Sequence, residues 1–198
     1  ASWAIGFANA DFKCFVYDKS EDSFTKFKDL ANKLIQDLRI INPETDEEKI
    51  NSNIKLNCTI EETCNDSILV QESVLEDLEL KKSVFAQLDK LTPENTIIAS
   101  SSSYLLISRI SELVKHKHRC INAHPALPPH IVPFVEVSGN EKTSPKIIRE
   151  AVSIYKKAKY ATITVNKEAE GFILNRLQGA LLNEAVRLHE GGYASMED

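Results

Sequence analysis

Apolar positions along the chain follow two periods that take turns. The opening SWAIGFA has the spacing of an amphipathic helix, and FKCFVYD (Phe12 to Asp18), rich in β-branched and aromatic residues, predicts a strand ending in an acid. Ser20 to Leu38 is helical by its apolar face of Phe24, Phe27, Leu30, Leu34 and Leu38. The polar stretch 41–52 predicts a solvated loop or a short exposed helix, and Ile54 to Cys58 and Ile68 to Gln71 predict short strands. Asp77 to Leu88 reads as helix through Leu78, Leu80, Val84, Phe85 and Leu88. The alternation runs on: strand Thr96 to Ser100, helix Tyr104 to Leu113, strand Cys120 to His124, the proline-rich PALPPHIVP, strand Phe134 to Val137, helix Pro145 to about Lys157, strand Thr162 to Val165. A long helix from about Ala169 to His189 follows, stopped by Gly191 and Gly192, and Ser195 predicts the N-cap of another helix running into Asp198.

Strands that alternate with helices imply right-handed crossovers and an α/β fold: a Rossmann-like, doubly wound, mostly parallel sheet. The alternation stops near Asn166 to Glu170, which predicts a boundary there, with residues 1–166 in one domain and 167–198 opening an all-α second one.

Composition narrows the class. The chain has 198 residues, 42% hydrophobic and 27% charged, and no apolar run approaches the ~18 residues of a membrane span, so disorder and membrane insertion are poor readings. A net charge of -5 argues against a broad nucleic-acid surface and leaves room for one basic spot facing a small anion. Cys14, Cys58, Cys64 and Cys120 match neither a CxxC pair nor a zinc pattern, so free thiols, no metal and a cytoplasmic location are expected. The chain opens inside a helical pattern and closes on the start of one, which reads as a piece cut at both ends.

Ligands of doubly wound sheets sit beyond the carboxyl ends of the strands, so polar residues there are weighed first. Asp18 stands where a dinucleotide fold places the acid for the adenosine ribose, or is an ordinary turn acid. Among Ser100 to Ser103, one hydroxyl can face a ligand while another caps the following helix. His124 ends CINAH, and Glu136, in FVEV, is an acid among apolar strand residues that needs a partner. Such a pair is either a structural hydrogen bond or a general base, in which the carboxylate fixes the tautomer and stabilises the imidazolium. Asn175, in GFILNRLQ, can hydrogen-bond a substrate or bridge backbone groups, and the basic run Lys115 to Arg119 reads as a solvated connection.

Together these strings resemble the 3-hydroxyacyl-CoA dehydrogenase family, in particular its lambda-crystallin branch. The resemblance rests on ESVLEDLELKKSVFAQLD (Glu72 to Asp89), ASSSSYL (Ala99 to Leu105), INAHPALPP followed by FVEV, and EGFILNRLQGALLNEAVRLHEGG (Glu170 to Gly192). It implies His124 as catalytic base with Glu136 as its orienting acid. It also implies Ser103 on the substrate hydroxyl and nicotinamide region, and Asn175 on the substrate oxygen. Asp18 would bind the adenosine ribose, favouring NAD over NADP, and Glu76 and Lys81 would contact the cofactor. The implied reaction is NAD-dependent oxidation of a 3-hydroxyl, most simply L-gulonate to 3-dehydro-L-gulonate, in a homodimer acting on small molecules. The alternatives are 3-hydroxyacyl-CoA oxidation and, from another class, a non-catalytic crystallin-like structural protein.

The chain departs from the family pattern in places. Gly6 is the only glycine before Gly139, so GxGxxG is absent. The resemblance implies that the first strand and its phosphate loop precede Ala1, and that most of the helical second domain follows Asp198. Leu127 stands where the family usually has Asn, which touches one nicotinamide or substrate contact. A chain without the first strand is expected to expose strand edges and to be of low stability by itself.

Overall fold

The computed structural model describes residues 1–56 and 58–197. Helix α1 (Ser2–Asn9) leads to strand β1 (Cys14–Phe15), helix α2 (Glu21–Ile41), helix α3 (Glu47–Ser52) and strand β2 (Ile54–Lys55). Helix α4 (Ile60–Cys64), strand β3 (Leu69–Glu72), helix α5 (Leu78–Leu91), strand β4 (Ile97–Ser100) and helix α6 (Ile107–Ile110) follow. Strands β5 (Cys120–Pro125) and β6 (Phe134–Ser138), helix α7 (Pro145–Lys157), strand β7 (Ala161–Val165) and helix α8 (Leu174–Glu190) complete the order.

The strands form a five-stranded sheet in the order β3-β4-β5-β6-β7 and a separate parallel pair, β1-β2. The large sheet is parallel except at one step, where β6 runs antiparallel to β5 and sets His124 directly opposite Glu136. In an antiparallel ladder opposed residues share a face, so this register alone brings the two side chains together. Among the described residues β1 pairs only with β2, and β3 only with β4 within its sheet.

Three apolar clusters hold the layers. Ile121, Ala123, Val135 and Val137 of the sheet pack on Phe7, Ile147, Ala151 and Tyr155; Ile98 and Cys120 pack on Phe85, Leu88, Ile107 and Ile110 from the other side. A third cluster joins Ile5 and Ala8 to Phe27, Ala31, Leu34, Ile35 and Ile50. At Gly6 a side chain has no room, since an added Cβ would lie 2.2 Å from the Tyr160 hydroxyl oxygen. Glycine at this position lets α1 approach closely enough for its Trp3 and Phe7 rings to pack on Tyr155 and Tyr160.

Several expectations need correction. The strand expected over Phe12 to Asp18 is two residues long, because it has a partner on one side only, bonded through Cys14 N to Asn53 O and Val16 N to Lys55 O. The helix expected over Tyr104 to Leu113 is cut to α6, because Ser102 Oγ captures the Tyr104 and Leu105 N–H groups and holds them in a turn. Leu30, placed on the inner face of α2, is exposed, while Ala31 and Ile35 are buried. The stretch 41–52 needs no correction, since it contains a short, mostly exposed helix as expected, α3, capped by Asp46 and anchored by buried Ile50. Helix α4 was not expected, although Thr59 and Glu62 carry the reciprocal capping box.

Of the basic run, residues 115–118 are exposed or half-buried as expected, and Arg119 alone departs. Arg119 is fully buried and donates to the Asp89 carboxylate at 2.8 Å, the Asp89 carbonyl and the Thr92 hydroxyl. Ser195 Oγ accepts from Glu197 N as an N-cap does, but no helix follows through residue 197, and Asp198 lies outside the described residues. Among the described residues no helix is long and apolar enough to cross a membrane, and no group of three acids, histidines or cysteines could hold a metal ion.

Candidate functional site

The centre of the site is built by β5, β6 and the turn that opens α8. His124 Nδ1 lies 2.8 Å from Glu136 Oε2, with both side chains buried. An ionised Glu136 requires the proton on Nδ1, which leaves Nε2 as the acceptor; no protein group among the described residues bonds it. The other Glu136 oxygen, Oε1, accepts from Ile173 N at 2.9 Å and Leu174 N at 3.0 Å, the first free N–H groups of α8. A buried carboxylate is costly unless its lone pairs are filled. Here three donors and a helix N-terminus fill them.

The turn itself is unusual. Gly171 and Phe172 both have positive φ, +76° and +48°, and the Phe172 ring stacks on the His124 imidazole at 5.0 Å with 23° between planes. A left-handed phenylalanine costs on the order of 1–2 kcal/mol and persists only where packing holds it. Phe172 is fully buried.

The four serines divide their work. Ser100 Oγ donates to Glu72 Oε2 at 2.7 Å. Ser101 Oγ is taken by Trp3 Nε1, Gln71 Nε2 and the Ser73 hydroxyl. Ser102 Oγ caps the following turn and donates to Glu76. Only the Ser103 hydroxyl makes no hydrogen bond among the described residues, while its carbonyl accepts from Asn175 Nδ2 at 3.0 Å. Asn175 sits in the first turn of α8, next to the backbone that Glu136 caps, so Ser103, Asn175, Glu136 and His124 converge. Two further bonds hold the same loop to this segment, Tyr104 Oη to Glu170 and Ser108 N to Glu168.

The remaining expected residues lie elsewhere. Lys81 has its ammonium buried, 2.9 Å from Glu72 Oε1, 3.3 Å from the Val74 carbonyl and 3.4 Å from Glu76 Oε2. Its donors are spent on the protein, which leaves the partly exposed carboxylate of Glu76 as the member of this group that is open to solvent. Partial burial would raise the Glu76 carboxyl, but the Ser102 bond and the Lys81 charge outweigh this and hold it below the usual carboxylate range. Asp18 is exposed beyond β1, apart from the others, with Oδ1 accepting from Ser20 N at 2.9 Å and Oδ2 open.

This arrangement fits a dinucleotide in part. An open carboxylate beyond β1 suits two ribose hydroxyls and repels a 2′-phosphate. The phosphate cradle, which needs close-packed glycines at a helix start, has no counterpart between Gly6 and Gly139. Glu72 and Phe172 were missed by the sequence reading; an acid ending an apolar strand and a phenylalanine directly after glycine were the available signals.

The chain is similar to known proteins in sequence and fold. The family model described as 3-hydroxyacyl-CoA dehydrogenase, NAD binding domain, matches residues 1–169. The lambda-crystallin homolog of Rattus norvegicus is 36% identical over 200 residues, covering 100% of this chain and 63% of the relative. An L-carnitine dehydrogenase of Streptomyces griseus is 39% identical over 140 residues, 71% of this chain and 42% of the relative. The crystal structure of (S)-3-hydroxybutyryl-CoA dehydrogenase from Ralstonia eutropha superposes with a TM-score of 0.88 at 25% identity, covering 99% of this chain and 69% of that one. The chain thus spans less than two thirds of the length of the lambda-crystallin homologues it matches.

Proposed function

This chain belongs to the 3-hydroxyacyl-CoA dehydrogenase family, and from that premise we propose that the whole protein oxidises the 3-hydroxyl of a small hydroxy acid with NAD. The observation that carries the reading is the buried His124–Glu136 pair, whose Nε2 is bonded by no protein group among the described residues. Asp18 would hold the adenosine ribose, and Glu76 with Ser103 would face the nicotinamide end. Bound NAD supplies the hydride acceptor.

The residues of the chain do the rest. His124 Nε2 accepts the proton of the C3 hydroxyl, and the charge that develops on the imidazole is met by Glu136 across Nδ1–H. Ser103 and Asn175 orient the substrate oxygen. Residues 1–166 form the nucleotide-binding unit in this reading, and 167–198 open a helical domain. The exposed apolar residues of α8, Leu177, Leu181, Leu182 and Val186, support further helices, or a second subunit, covering it.

L-gulonate is the proposed substrate, on the likeness to lambda-crystallin homologues; the likeness to L-carnitine dehydrogenases supports the same small-acid class. The test is NADH formation by the full-length protein with L-gulonate and L-carnitine, and NADH consumption with acetoacetyl-CoA. Turnover of L-gulonate above the others is expected. Turnover of the CoA ester alone would replace the substrate assignment, and no turnover with bound NADH absent would favour a structural, crystallin-like role.

A further inference from the structure

The His124–Glu136 bond restrains only one edge of the imidazole. A hydrogen bond at Nδ1 holds that nitrogen near Oε2, but its angular preference is broad, so the ring plane can still tip. Nε2, the atom that must meet a substrate proton, lies on the far edge and moves most when the plane tips. A second restraint is needed for a base to work at near-attack geometry.

That restraint is present in the turn before α8. We infer that Phe172 is a positioning residue for His124, an inference that rests on the dehydrogenase reading above. Its ring lies nearly parallel to the imidazole, at 5.0 Å and 23°, and closes one face of it. The backbone is arranged for this contact. Two successive left-handed residues, Gly171 and Phe172, reverse the chain so that the ring of Phe172 meets His124 while the next two N–H groups, Ile173 and Leu174, meet Glu136. At Gly171 the backbone angle and not space demands glycine, since an added Cβ would lie no nearer than 3.6 Å to Asn175 Cβ. One turn thus fixes the face of the base through a side chain and the orientation of its carboxylate through the backbone.

The contact also suits the charge that forms. An aromatic face favours a cation lying over it, so Phe172 stabilises the imidazolium of the proposed transition state more than the neutral ring. A leucine of comparable bulk would fill the space without either effect.

The experiment compares Phe172→Leu and Phe172→Tyr with the wild-type full-length protein, using steady-state kinetics and nitrogen-15 NMR of the histidine side chains, His124 being assigned by loss of its signals in His124→Gln. Phe172→Leu should lower kcat roughly ten- to a hundredfold with KM for NAD unchanged, and should broaden or abolish the Nδ1–H signal of His124. Phe172→Tyr, which keeps the ring face, should recover most of both. Unchanged kcat and an unchanged Nδ1–H signal in Phe172→Leu would overturn the inference. If Phe172→Leu does not fold, Phe172→Met decides by the same two readouts: a lowered kcat with a broadened Nδ1–H signal supports the inference, and wild-type values of both overturn it. If the wild type turns over no 3-hydroxy acid, the dehydrogenase reading fails, and the NMR comparison still tests the clamp.

Discussion

Asn175 Nδ2 donates to the carbonyl oxygen of Ser103 at 3.0 Å, tying the first turn of α8 to the loop that follows β4. The bond joins two segments that are 72 positions apart, so the geometry of Ser103 depends on how α8 is seated. Asn175→Ala should remove about 1 kcal/mol of stability, a drop of roughly 2–4 °C in Tm, and should lower kcat/KM about tenfold by loosening Ser103. Thermal melts and kinetics of the full-length protein check both. A loss of stability with kcat/KM unchanged would make the bond structural only.

Glu136 has three donors to satisfy, which separates two substitutions. Glu136→Ala leaves His124 Nδ1–H and the Ile173 and Leu174 N–H groups without acceptors and should cost about 3–5 kcal/mol. Glu136→Gln keeps one acceptor oxygen and should cost less, while its amide N–H opposes one of the three donors. Urea denaturation ranks them. Equal stability of the two variants would mean the helix N-terminus draws nothing from this carboxylate.

At the opposite end of β5, Asp89 couples stability to pH. Burial alone would raise its carboxyl, but the Arg119 bond, the Lys115 and His116 N–H groups and the Arg119 charge outweigh burial and hold it below the usual carboxylate range. A carboxylate depressed in the fold stabilises fully above its unfolded value, and that contribution is lost as pH falls through the folded one. Asp89→Asn should therefore lower Tm at neutral pH and flatten its fall on acidification. A parallel fall in both proteins would contradict this.

Cys14, Cys64 and Cys120 should be inert in the native state. Burial pushes the Cys14 thiol up to about 12, and burial, with Asp89 adding and Arg119 opposing, does the same for Cys120. Burial and the Glu61 charge also raise Cys64. Alkylation with iodoacetamide at mildly alkaline pH should be slow until denaturant is added. Fast labelling of Cys14 or Cys120 in the folded protein would show that they are open to solvent.

Most of the sheet could be read in the sequence because each strand of the five-stranded sheet carries a short apolar run between helical spacings. The His124–Glu136 pair was legible for the same reason: an acid within FVEV must find a partner, and the hairpin offers one residue in register. What stayed hidden was set by bonds between distant segments. Four consecutive serines look alike in sequence, and Glu72, Trp3, Gln71, Ser73 and Glu76 distinguish them by taking three of the four hydroxyls. Arg119 is one of five basic residues in a row by sequence, and its buried partner Asp89 lies 30 positions earlier. The short α6 failed as a helix because one serine hydroxyl outcompeted its first turn.

In the proposed reaction His124 is the base that takes the proton of the C3 hydroxyl. The most direct test of this role is the rate of NADH formation from L-gulonate by the full-length protein and by its His124→Gln variant at equal folded concentration. Loss of roughly 10²–10⁴ in kcat with NADH still bound is expected. A variant that turns over at the wild-type rate would contradict it.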